Sequence, residues 1–538
     1  MSYTLSVFLL LHFLLAGATI AATAYSTVSS KQDLKTGLVL LQSARAAVLQ
    51  AKDWSLKRAT ATASSSSSYY LNSNITGIGV PAFVDCAQLC EESDSRLAHL
   101  ISTNSMTSSS DNDDRLTWLS GVLTNHRTCL DGLGYLIRDP KIFVGAHNLT
   151  RLLNDALAYY YVYMDNALRL NELDERVAVS KGFQYRHKYR RQKEVADQHP
   201  DQGILASWNP ASSWADVVVA KDGSGDYRTV MDAIASLTKR NLIATSSRAR
   251  SRSSVLIVYV KEGIYHEHVV IGRHLNHLMF VGDGIDRTII TGSRNVIDGH
   301  STLSSATFSV SGDGFWARDI TFENTAGPHK HQAVALMVAS DHSVFYRCSF
   351  KGYQDTLYAH SLRQFYRDCQ IHGTIDFIFG NAAVVLQNCD IFVRKPMQHQ
   401  SNMITAQGRE NPHENTGISI HGSRIRAAPD FSRVKESYRS FLGRPWKKYS
   451  RTVIWNTDLD GLVDPRGWKE WDGSFALSTL FYAEYMNTGA GSSINRRVKW
   501  PGFHVLHNPG DVSPFTVKNF IQGDVWILRT GIPVWLEI

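Results

Sequence analysis

One pattern occurs twice in FYRCSFKGYQDTLY, residues 345–358, and FYRDCQIHGTIDFIFG, residues 365–380. A third copy, VLQNCDIFV, spans residues 385–393, and the cysteines of the three copies are 21 and 20 residues apart. Short apolar runs that return every 20–22 residues are typical of a parallel β-helix, in which each repeat forms one rung of a solenoid. The repeat therefore favours a parallel β-helix. A β-sandwich, whose hairpins do not keep one period, is the alternative.

Short strands of this kind continue through the second half of the sequence, from residue 208 onwards. Runs such as SVLIVYV, HLMFVGD and TIITGS are separated by Gly, Asn and Asp. The sequence between these runs contains no long amphipathic helix, so a doubly wound α/β fold is not expected.

Residues 32–178 follow a helical period instead. Segments such as LKTGLVLLQSARAAVLQAKDW (34–54) and RLTWLSGVLTNHRTCLDGL (115–133) place apolar residues at positions i, i+3, i+4 and i+7. Short polar breaks separate the segments, which indicates an antiparallel helical bundle. Two domains of different class are therefore predicted.

The first residues indicate export. Residues 7–15 form a nine-residue apolar core, VFLLLHFLL, followed by small residues. A membrane-spanning helix needs about 20 apolar residues, so residues 1–24 are predicted to be a cleaved signal peptide rather than a membrane anchor. A buried N-terminal helix is the alternative. Sequons at Asn74 and Asn148 predict glycosylation of a secreted chain, whose cysteines are free to oxidise.

A basic segment separates the two predicted domains. Residues 179–207 contain RHKYRRQK at 186–193. Such a run is either a solvated linker or a site for a processing protease, and composition alone favours the linker.

The charge of the chain is compatible with an acidic partner. The 538 residues include 56 Lys and Arg against 49 Asp and Glu, a net charge of +7. This sign suits a secreted protein that acts on an acidic polysaccharide as well as it suits a nucleic-acid-binding protein. The single apolar run excludes a multi-spanning membrane protein.

The repeat also brings carboxylates together. Asp355 and Asp376 each lie seven residues after a cysteine of the repeat, and Gln332 precedes Gln354 by 22 residues. Equivalent positions on stacked rungs are about 4.8 Å apart, so two carboxylates there do not both ionise freely. One protonated and one ionised carboxyl form an acid and a nucleophile, and amides nearby stabilise an oxyanion. A purely structural polar ladder is the alternative.

Five motifs in order extend this picture: GIYHE (263–267), HQAVAL (331–336), GYQDTLY (352–358), GTIDFIFGNA (373–382) and LGRPW (442–446). The chain resembles plant pectinesterases in these blocks, and residues 32–178 resemble the inhibitor-like pro-region of their two-domain members. The resemblance implies an all-β right-handed parallel β-helix as the catalytic domain, residues 208–538, preceded by an all-α four-helix-bundle pro-region. It implies a secreted cell-wall enzyme that hydrolyses methyl esters of pectin.

The resemblance also implies a role for each site residue. Asp376 corresponds to the nucleophile, Asp355 to the proton donor, and Gln354 to the stabiliser of the transition state. Four residues correspond to the substrate-binding set: Thr302, Gln332, Arg444 and Trp446.

Disulfides and partners follow from the same resemblance. It implies two bonds, Cys369–Cys389 and Cys86–Cys129, and no metal or organic cofactor. The expected partners are pectin, a proteinaceous inhibitor and a processing protease, with no nucleic acid and no integral membrane segment. The different-class alternative is a catalytically silent wall-binding or inhibitory homologue.

Overall fold

The computed structural model describes residues 30–64, 79–103, 109–134, 143–162, 203–246 and 255–538. Three predicted features lie outside the described residues: the signal peptide at 1–24, the sequon at Asn74 and the basic run at 186–193. Most of the predicted linker, residues 179–202, lies outside them as well.

Four helices form the N-terminal half. They are α1 (Ser30–Ser64), α2 (Gly79–Ser102), α3 (Ser109–Leu133) and a fourth helix, α4, over residues 143–162. Each helix contributes fully buried leucines to one shared core, for which Leu41, Leu97, Leu123 and Leu157 are examples. The apolar period read from the sequence therefore produces the four-helix bundle. None of the described helices is long and apolar enough to cross a bilayer.

One disulfide ties two of these helices together. Cys86 of α2 is bonded to Cys129 of α3, as the family resemblance implied. Cys90, one turn further along α2, is a buried free thiol.

The second half of the chain is a three-sided parallel solenoid, and every strand pair described within it is parallel. The first sheet contains β1 (Val217–Val219), β2 (Leu256–Val260), β5 (Leu278–Gly282), β8 (Trp316–Arg318), β11 (Ser343–Tyr346), β14 (Arg363–Arg367), β17 (Ala383–Gln387), β20 (Gly417–His421), β23 (Arg451–Trp455), β25 (Phe481–Tyr485) and β26 (Phe503–Val505).

The second sheet, which carries the site described below, contains β4 (Val269–Ile271), β7 (Phe308–Val310), β10 (Leu336–Val338), β13 (Leu357–Ala359), β16 (Ile378–Gly380), β19 (Asn402–Gln407) and β22 (Ser440–Gly443). The third contains β3 (Gly263–His266), β6 (Thr288–Gly292), β9 (Thr321–Asn324), β12 (Ser349–Lys351), β15 (Gln370–Gly373), β18 (Asp390–Val393), β21 (Arg424–Ala427) and β24 (Asp458–Leu459). The predicted parallel β-helix is confirmed.

The solenoid half also contains six described α-helices, five of them with four or five residues and one with 17. They are α5 (Ile204–Ser207), α6 (Val230–Ser246), α7 (Pro429–Ser432), α8 (Pro509–Val512), α9 (Val517–Ile521) and α10 (Gly523–Trp526). Helices α9 and α10 pack on the outer face of the first sheet, where Val517 and Ile521 join a buried cluster with Phe365 and Val385.

The residues just before the predicted boundary at residue 208 contact the first sheet. Leu205 of α5 and Trp208 are buried in the cluster on the first sheet. The Arg318 guanidinium donates hydrogen bonds to the carbonyls of Leu205, Ala206 and Trp208 at 2.6–3.0 Å. Helix α5 therefore belongs to the β-helix half, because it satisfies a buried cation of β8.

The two halves have separate cores. Among the described residues, the buried core of the solenoid comes from residues 217–482 and that of the bundle from residues 41–160. Each of these two cores is built within its own half, although Leu303 of the solenoid half also packs against the bundle cluster that contains Phe83 and Leu133.

The register confirms the sequence repeat but contradicts one predicted disulfide. Tyr346 pairs with Arg367, and Arg367 pairs with Gln387, so the three cysteines two residues further on stack in register. Cys369 and Cys389 are nevertheless free buried thiols, like Cys348. Each thiol contacts backbone carbonyls instead: Cys369 donates to those of Phe345 and Arg367, and Cys389 to those of Tyr366 and Gln387.

Candidate active site

Two aspartates stand at equivalent places on consecutive rungs of the second sheet. Leu357 of β13 pairs with Ile378 of β16, and the same register makes Asp355 equivalent to Asp376. The Asp355 backbone N–H donates to the Ile375 carbonyl at 3.0 Å, which fixes the two turns against each other. Both aspartates are buried, at 7% and 6% exposure.

The backbone at both aspartates is unusual. Asp355 has φ of 63° and Asp376 has φ of 50°, in the left-handed region that non-glycine residues seldom occupy. The turn before Asp376 also needs Gly373, since a Cβ there would lie 2.2 Å from that of Phe377. Other turns of the solenoid share this positive φ, at Asp368 and Asn388 for example, so it reflects the tight turns between strands rather than the site alone.

Arg444 holds one of the two carboxylates. It follows β22, and its Nε and Nη2 donate to Asp376 Oδ1 and Oδ2 at 2.9 and 2.6 Å, a bidentate pair. The guanidinium also lies 4.3 Å from the ring centroid of Trp471. The sequence reasoning missed Trp471, because this tryptophan lies well beyond Arg444 in the chain and belongs to no repeat and no quoted motif.

The two carboxyl groups differ in acidity. Burial, and then the neighbouring charge of Asp376, raises the pKa of Asp355 well above its usual range. Burial also raises the pKa of Asp376, but the hydrogen bonds and charge of Arg444 oppose that rise. Asp376 therefore ionises first, and Asp355 keeps its proton while its neighbour is a carboxylate.

Two glutamine amides face the same space. Gln332 and Gln354 both line the cavity that contains the aspartates. Among the described residues neither side-chain amide has a hydrogen-bond partner, so both are available to a ligand. The two glutamines are not strictly in register, because the pairing of Leu336 with Leu357 makes Ala333, rather than Gln332, the equivalent of Gln354. Gln332 is thus offset by one residue from the position equivalent to Gln354, and it lies beside the aspartate pair rather than directly below it.

The floor of the cavity is aromatic. The cavity encloses about 450 Å³. The rings of Tyr358 and Phe379 stack at 4.2 Å, and Phe379 meets Trp446 edge-on at 6.1 Å. Tyr358 and Phe379 are in register on β13 and β16 and face the cavity, whereas the sequence reasoning named only Trp446. Thr302 lies at the rim with Ser301 and Leu303. All seven predicted catalytic and substrate-binding residues therefore line one cavity.

The helical half forms the opposite wall of this cavity. Its six lining residues come from α2 and α3: Ala82, Asp85, Thr128, Cys129, Asp131 and Gly132. Three of them bond to the catalytic half. The Ser301 hydroxyl donates to Asp85 at 2.6 Å, Thr128 hydrogen-bonds His360 at 2.9 Å, and Lys447 pairs with Asp131 at 3.1 Å.

Further polar contacts join the halves around the cavity. The ion pairs are Arg96–Asp313, Arg127–Glu414, Arg127–Glu410, Arg273–Glu91 and Arg363–Asp114, with N–O distances of 2.6–3.0 Å. The Trp118 indole N–H donates to Asp341 at 2.9 Å. The interface is thus built mainly from charged and polar groups, in contrast to the apolar core of each half.

The sequon at Asn148 lies on the helix over residues 143–162, where Asn148 is half-buried. The Thr150 hydroxyl of that sequon donates to the Ala146 carbonyl at 2.9 Å. Glycosylation at Asn148 stays a prediction.

Comparison with known proteins gives two family matches. The Pectinesterase family model matches residues 216–524, and the plant invertase/pectin methylesterase inhibitor model matches residues 22–159. The chain is 53% identical over 523 residues to "Probable pectinesterase/pectinesterase inhibitor 36" of Arabidopsis thaliana, across 96% of each protein. It is 47% identical over 455 residues to "Pectinesterase 2" of Citrus sinensis, across 84% of this chain and 81% of that one.

Among solved structures, the chain is similar to the pectin methylesterase from carrot. The two are 49% identical with a TM-score of 0.58, and the match covers 61% of this chain and 100% of the carrot chain.

Proposed function

This chain belongs to the pectinesterase family, and we propose which step of the reaction each residue of its cleft performs. The chain hydrolyses the methyl esters of pectin, which places it among the carboxylic ester hydrolases. One observation supports the assignment of roles: two buried aspartates lie in register, and only one of them is paired with an arginine.

In the first step, the ionised carboxylate of Asp376 attacks the carbonyl carbon of a galacturonate methyl ester. The negative charge that develops on the carbonyl oxygen is stabilised by the side-chain amides of Gln354 and Gln332. The C–O bond to methoxide breaks, and Asp355 transfers its proton to the leaving oxygen, so methanol departs. The galacturonyl group remains bonded to Asp376 as an anhydride.

In the second step, the roles reverse. Asp355, now ionised, removes a proton from a water molecule, which attacks the galacturonyl carbonyl carbon. The bond to Asp376 breaks, a free galacturonate carboxyl group is released, and Asp355 is protonated for the next turnover. Arg444 holds Asp376 in the ionised form in which it attacks and leaves, since a bidentate guanidinium favours the charged carboxylate.

The sugar chain binds along the aromatic floor. Trp446, Tyr358 and Phe379 offer flat apolar surfaces to the faces of the galacturonate rings, and Thr302 contributes a hydroxyl at the rim. This arrangement leaves the ester group to be oriented by the polar groups around Asp376.

The test of this assignment is Asp376→Asn, with methanol release from methylated pectin as the measurement. The carboxamide is nearly isosteric but is not a nucleophile, so turnover falls by at least about 10⁴-fold while the melting temperature is retained. Asp368→Asn is the matched control, because Asp368 also has a positive φ, 54°, yet bonds Asn388 outside the cleft. Wild-type turnover in the Asp376 variant would refute the mechanism. A chain beginning at Gly203 that is folded but inactive would indicate the silent homologue.

The chain is further inferred to act outside the cell, in the cell wall. The apolar core at residues 7–15, the two sequons and the Cys86–Cys129 disulfide support export. Mass analysis of the protein recovered from the culture medium of an expressing plant cell line tests this. A mature chain that retains residues 1–24, or that stays inside the cell, contradicts it.

The helical half is inferred to restrain the enzyme. Six of its residues wall the cavity, and the polar contacts around the rim hold it there. A polymer with the width of pectin does not reach Asp376 while this wall is in place. Activity then depends on separation of the halves, which a protease acting between residues 163 and 202 would permit.

A further inference from the structure

The two ends of the solenoid are built differently. At the N-terminal end, helix α6 packs against the first strands β1 and β4, and its buried residues Ala233, Ile234 and Leu237 belong to the interior core. At the other end, β26 (Phe503–Val505) is the last strand of the first sheet, and no described strand pairs with its outer edge. All three residues of β26 are half-buried, so this end of the sheet is accessible.

A groove lies beside β26, outside the catalytic cleft. It encloses about 530 Å³ and is lined by residues between Ile494 and Val505. None of these described lining residues also lines the cavity around Asp376. The groove, called the end groove below, is therefore separate from the cleft in which the ester is hydrolysed.

A buried ion pair holds the wall of the end groove in place. Arg497 lies within the lining segment and pairs with Glu484 of β25 at 2.7 Å, and both side chains are almost fully buried. Arg497 also donates to the carbonyls of Gly491 and Pro465, at 2.7 and 3.2 Å. Because this buried cation is fully paired, the loop around it is fixed and the groove is formed before a ligand arrives.

Two further cations lie beside the end groove without a carboxylate partner. Arg496 and Lys499 are exposed, and neither forms an ion pair among the described residues. Lys499 lines the groove, and Arg496 directly follows the lining residue Asn495. Since Glu484 neutralises Arg497 alone, two positive charges are left to attract an anionic ligand.

The floor of the end groove is apolar and partly aromatic. Val498, Trp500 and Phe503 pack against the interior core and also line the groove. Both rings are half-buried, and Ile494 beside them is 38% exposed. An accessible indole ring next to an ammonium and a guanidinium group suits an acidic sugar, because the ring offers a flat surface to the sugar face and the cations bind its carboxylate.

We propose that the end groove is a second binding site for de-esterified galacturonan, separate from the catalytic cleft. Trp500 stacks on a sugar ring, and Lys499 and Arg496 bind the carboxylates of galacturonate units. Methyl-esterified units are neutral, so the two cations select the de-esterified polymer. The proposal rests on the proposed function, since this polymer is the product that the cleft releases. Binding at the end groove keeps the enzyme on its polymer and raises the effective concentration of the remaining esters at the cleft.

A second copy of the chain fits the end groove less well. In a twofold contact the same surface meets itself, which would bring Arg496 and Lys499 of one copy against the same cations of the other. The charge of the groove therefore favours the polyanion.

The experiment measures the affinity of the full chain for a short polygalacturonate fragment by titration calorimetry. The helical half covers the catalytic cleft in this chain, so the titration reports the end groove. The double variant Arg496→Gln, Lys499→Gln removes both charges, and Arg496→Lys, Lys499→Arg keeps them. The matched control is Lys239→Gln, Arg240→Gln, because these two exposed cations lie on α6 at the opposite end and also have no ion pair among the described residues.

We expect the variant without the two charges to bind polygalacturonate about fivefold more weakly, the order of two exposed ion pairs, with an unchanged melting temperature. The variant that keeps the charges and the control should bind like the wild type. Polyglutamate, a polyanion without sugar rings, and fully methylated pectin, which has the rings without the charge, should both bind more weakly than polygalacturonate.

Three results overturn the proposal. They are an unchanged affinity in the variant without the charges, an equal loss in the control, and an affinity for polyglutamate equal to that for polygalacturonate. Dimerisation of the wild type that Ile494→Glu abolishes would assign the groove to a second copy and also overturns it. Polygalacturonate has no ester, so binding is measured without catalysis. Absence of methanol release by a chain that begins at Gly203 contradicts the proposed function instead.

Discussion

The same three rungs of the solenoid bury two kinds of surface. Inside, Cys348, Cys369 and Cys389 stack in register among aromatic rings, where Phe345 and Tyr366 lie parallel at 4.9 Å. Outside, the same register stacks Asp355 on Asp376 beneath a polar wall supplied by the helical half.

Stacked thiols are favourable in an apolar interior. Two stacked carboxylates are unfavourable, and the two groups therefore differ in pKa. The same repeat thus forms a buried core on the inside of the solenoid. On the outside it forms a reactive surface that is covered by the helical half and can separate from it.

The largest expected effect comes from removing the helical half, which covers the outer surface with the two aspartates. We expect a chain that begins at Gly203 to hydrolyse pectin about 100-fold faster than the full chain, if the open form of the full chain is about 1% populated. The melting temperature of the β-helix should change little, because its interior contains no residue of the bundle. Methanol release and thermal unfolding are measured on both chains. Equal specific activity contradicts the restraint, and a large loss of stability contradicts the separation of the two surfaces.

The next effect concerns the acidity of the paired aspartates. Asp376 acts when ionised, so activity rises as pH rises through its pKa, and Asp355 acts when protonated, so activity falls as pH rises through its pKa. Arg444 lowers the pKa of both groups against the effect of burial. Arg444→Gln should therefore move both limbs of the pH profile of kcat/KM upward, by about one unit.

Arg424→Gln provides the control for that profile. Arg424 makes the same bidentate contact with Asp390, at 2.5 and 3.0 Å, but on the third sheet, away from the cleft. Its loss should leave both limbs where they are. A shift in this variant equal to that of Arg444→Gln would show that the profile reports general stability rather than the aspartate pair.

A smaller effect is expected inside the solenoid. Cys369→Ala removes a fully buried thiol that hydrogen-bonds the carbonyls of Phe345 and Arg367, both at 3.3 Å. We expect the free energy of unfolding to fall by about 1–2 kcal/mol, the cost of a small cavity, while kcat is unchanged. Chemical denaturation with and without reductant checks both the cost and the free-thiol state. If the reductant lowers the stability of the wild type and also that of a Cys86→Ala, Cys129→Ala variant, the Cys369–Cys389 bond exists after all.

The smallest effect separates charge from ring stacking on the outer surface. From Gly203 onward the chain has 36 Lys and Arg against 30 Asp and Glu. Retention of the fragment on a polygalacturonate column should fall steeply with added NaCl, because exposed charges are screened beyond about 8 Å at 0.15 M. Trp446→Ala should lower retention a few-fold at every salt concentration without changing the slope. Retention independent of salt in the wild type would refute the charge account.

The fold and most of the site could be predicted from the sequence because both depend on one local spacing. The period that relates Cys348 to Cys369 also relates Asp355 to Asp376, so one repeat predicted the solenoid and the aspartate pair together. Residue spacing alone did not show whether the two aspartates are a catalytic pair or part of a structural polar ladder. The contact of Arg444 with Asp376, 68 residues apart, distinguishes the two carboxyl groups.

The features that were wrong or missed depend on geometry that a linear pattern does not contain. The Cys369–Cys389 bond was expected from the family resemblance alone, and both thiols are free in the solenoid interior. Trp471 reaches Arg444, and Asp131 reaches Lys447, across loops and domains with no periodic relation. Helix α5 belongs to the catalytic half because a cation on β8 binds its carbonyls, and such a pairing is invisible in composition.

The unequal lengths of the rungs have a consequence for how this enzyme family can diversify. The rung that runs from Phe308 to its partner Leu336, and the rung from Asn402 to its partner Ser440, are both longer than the rung from Leu357 to Ile378. Insertions are thus accommodated in the turns on both sides of the aspartates, including the long turn before Arg444. The rung that contains Asp355 and Asp376 has no such insertion. The loops of the neighbouring rungs can therefore lengthen and acquire new substrate preferences while the reacting pair keeps its geometry.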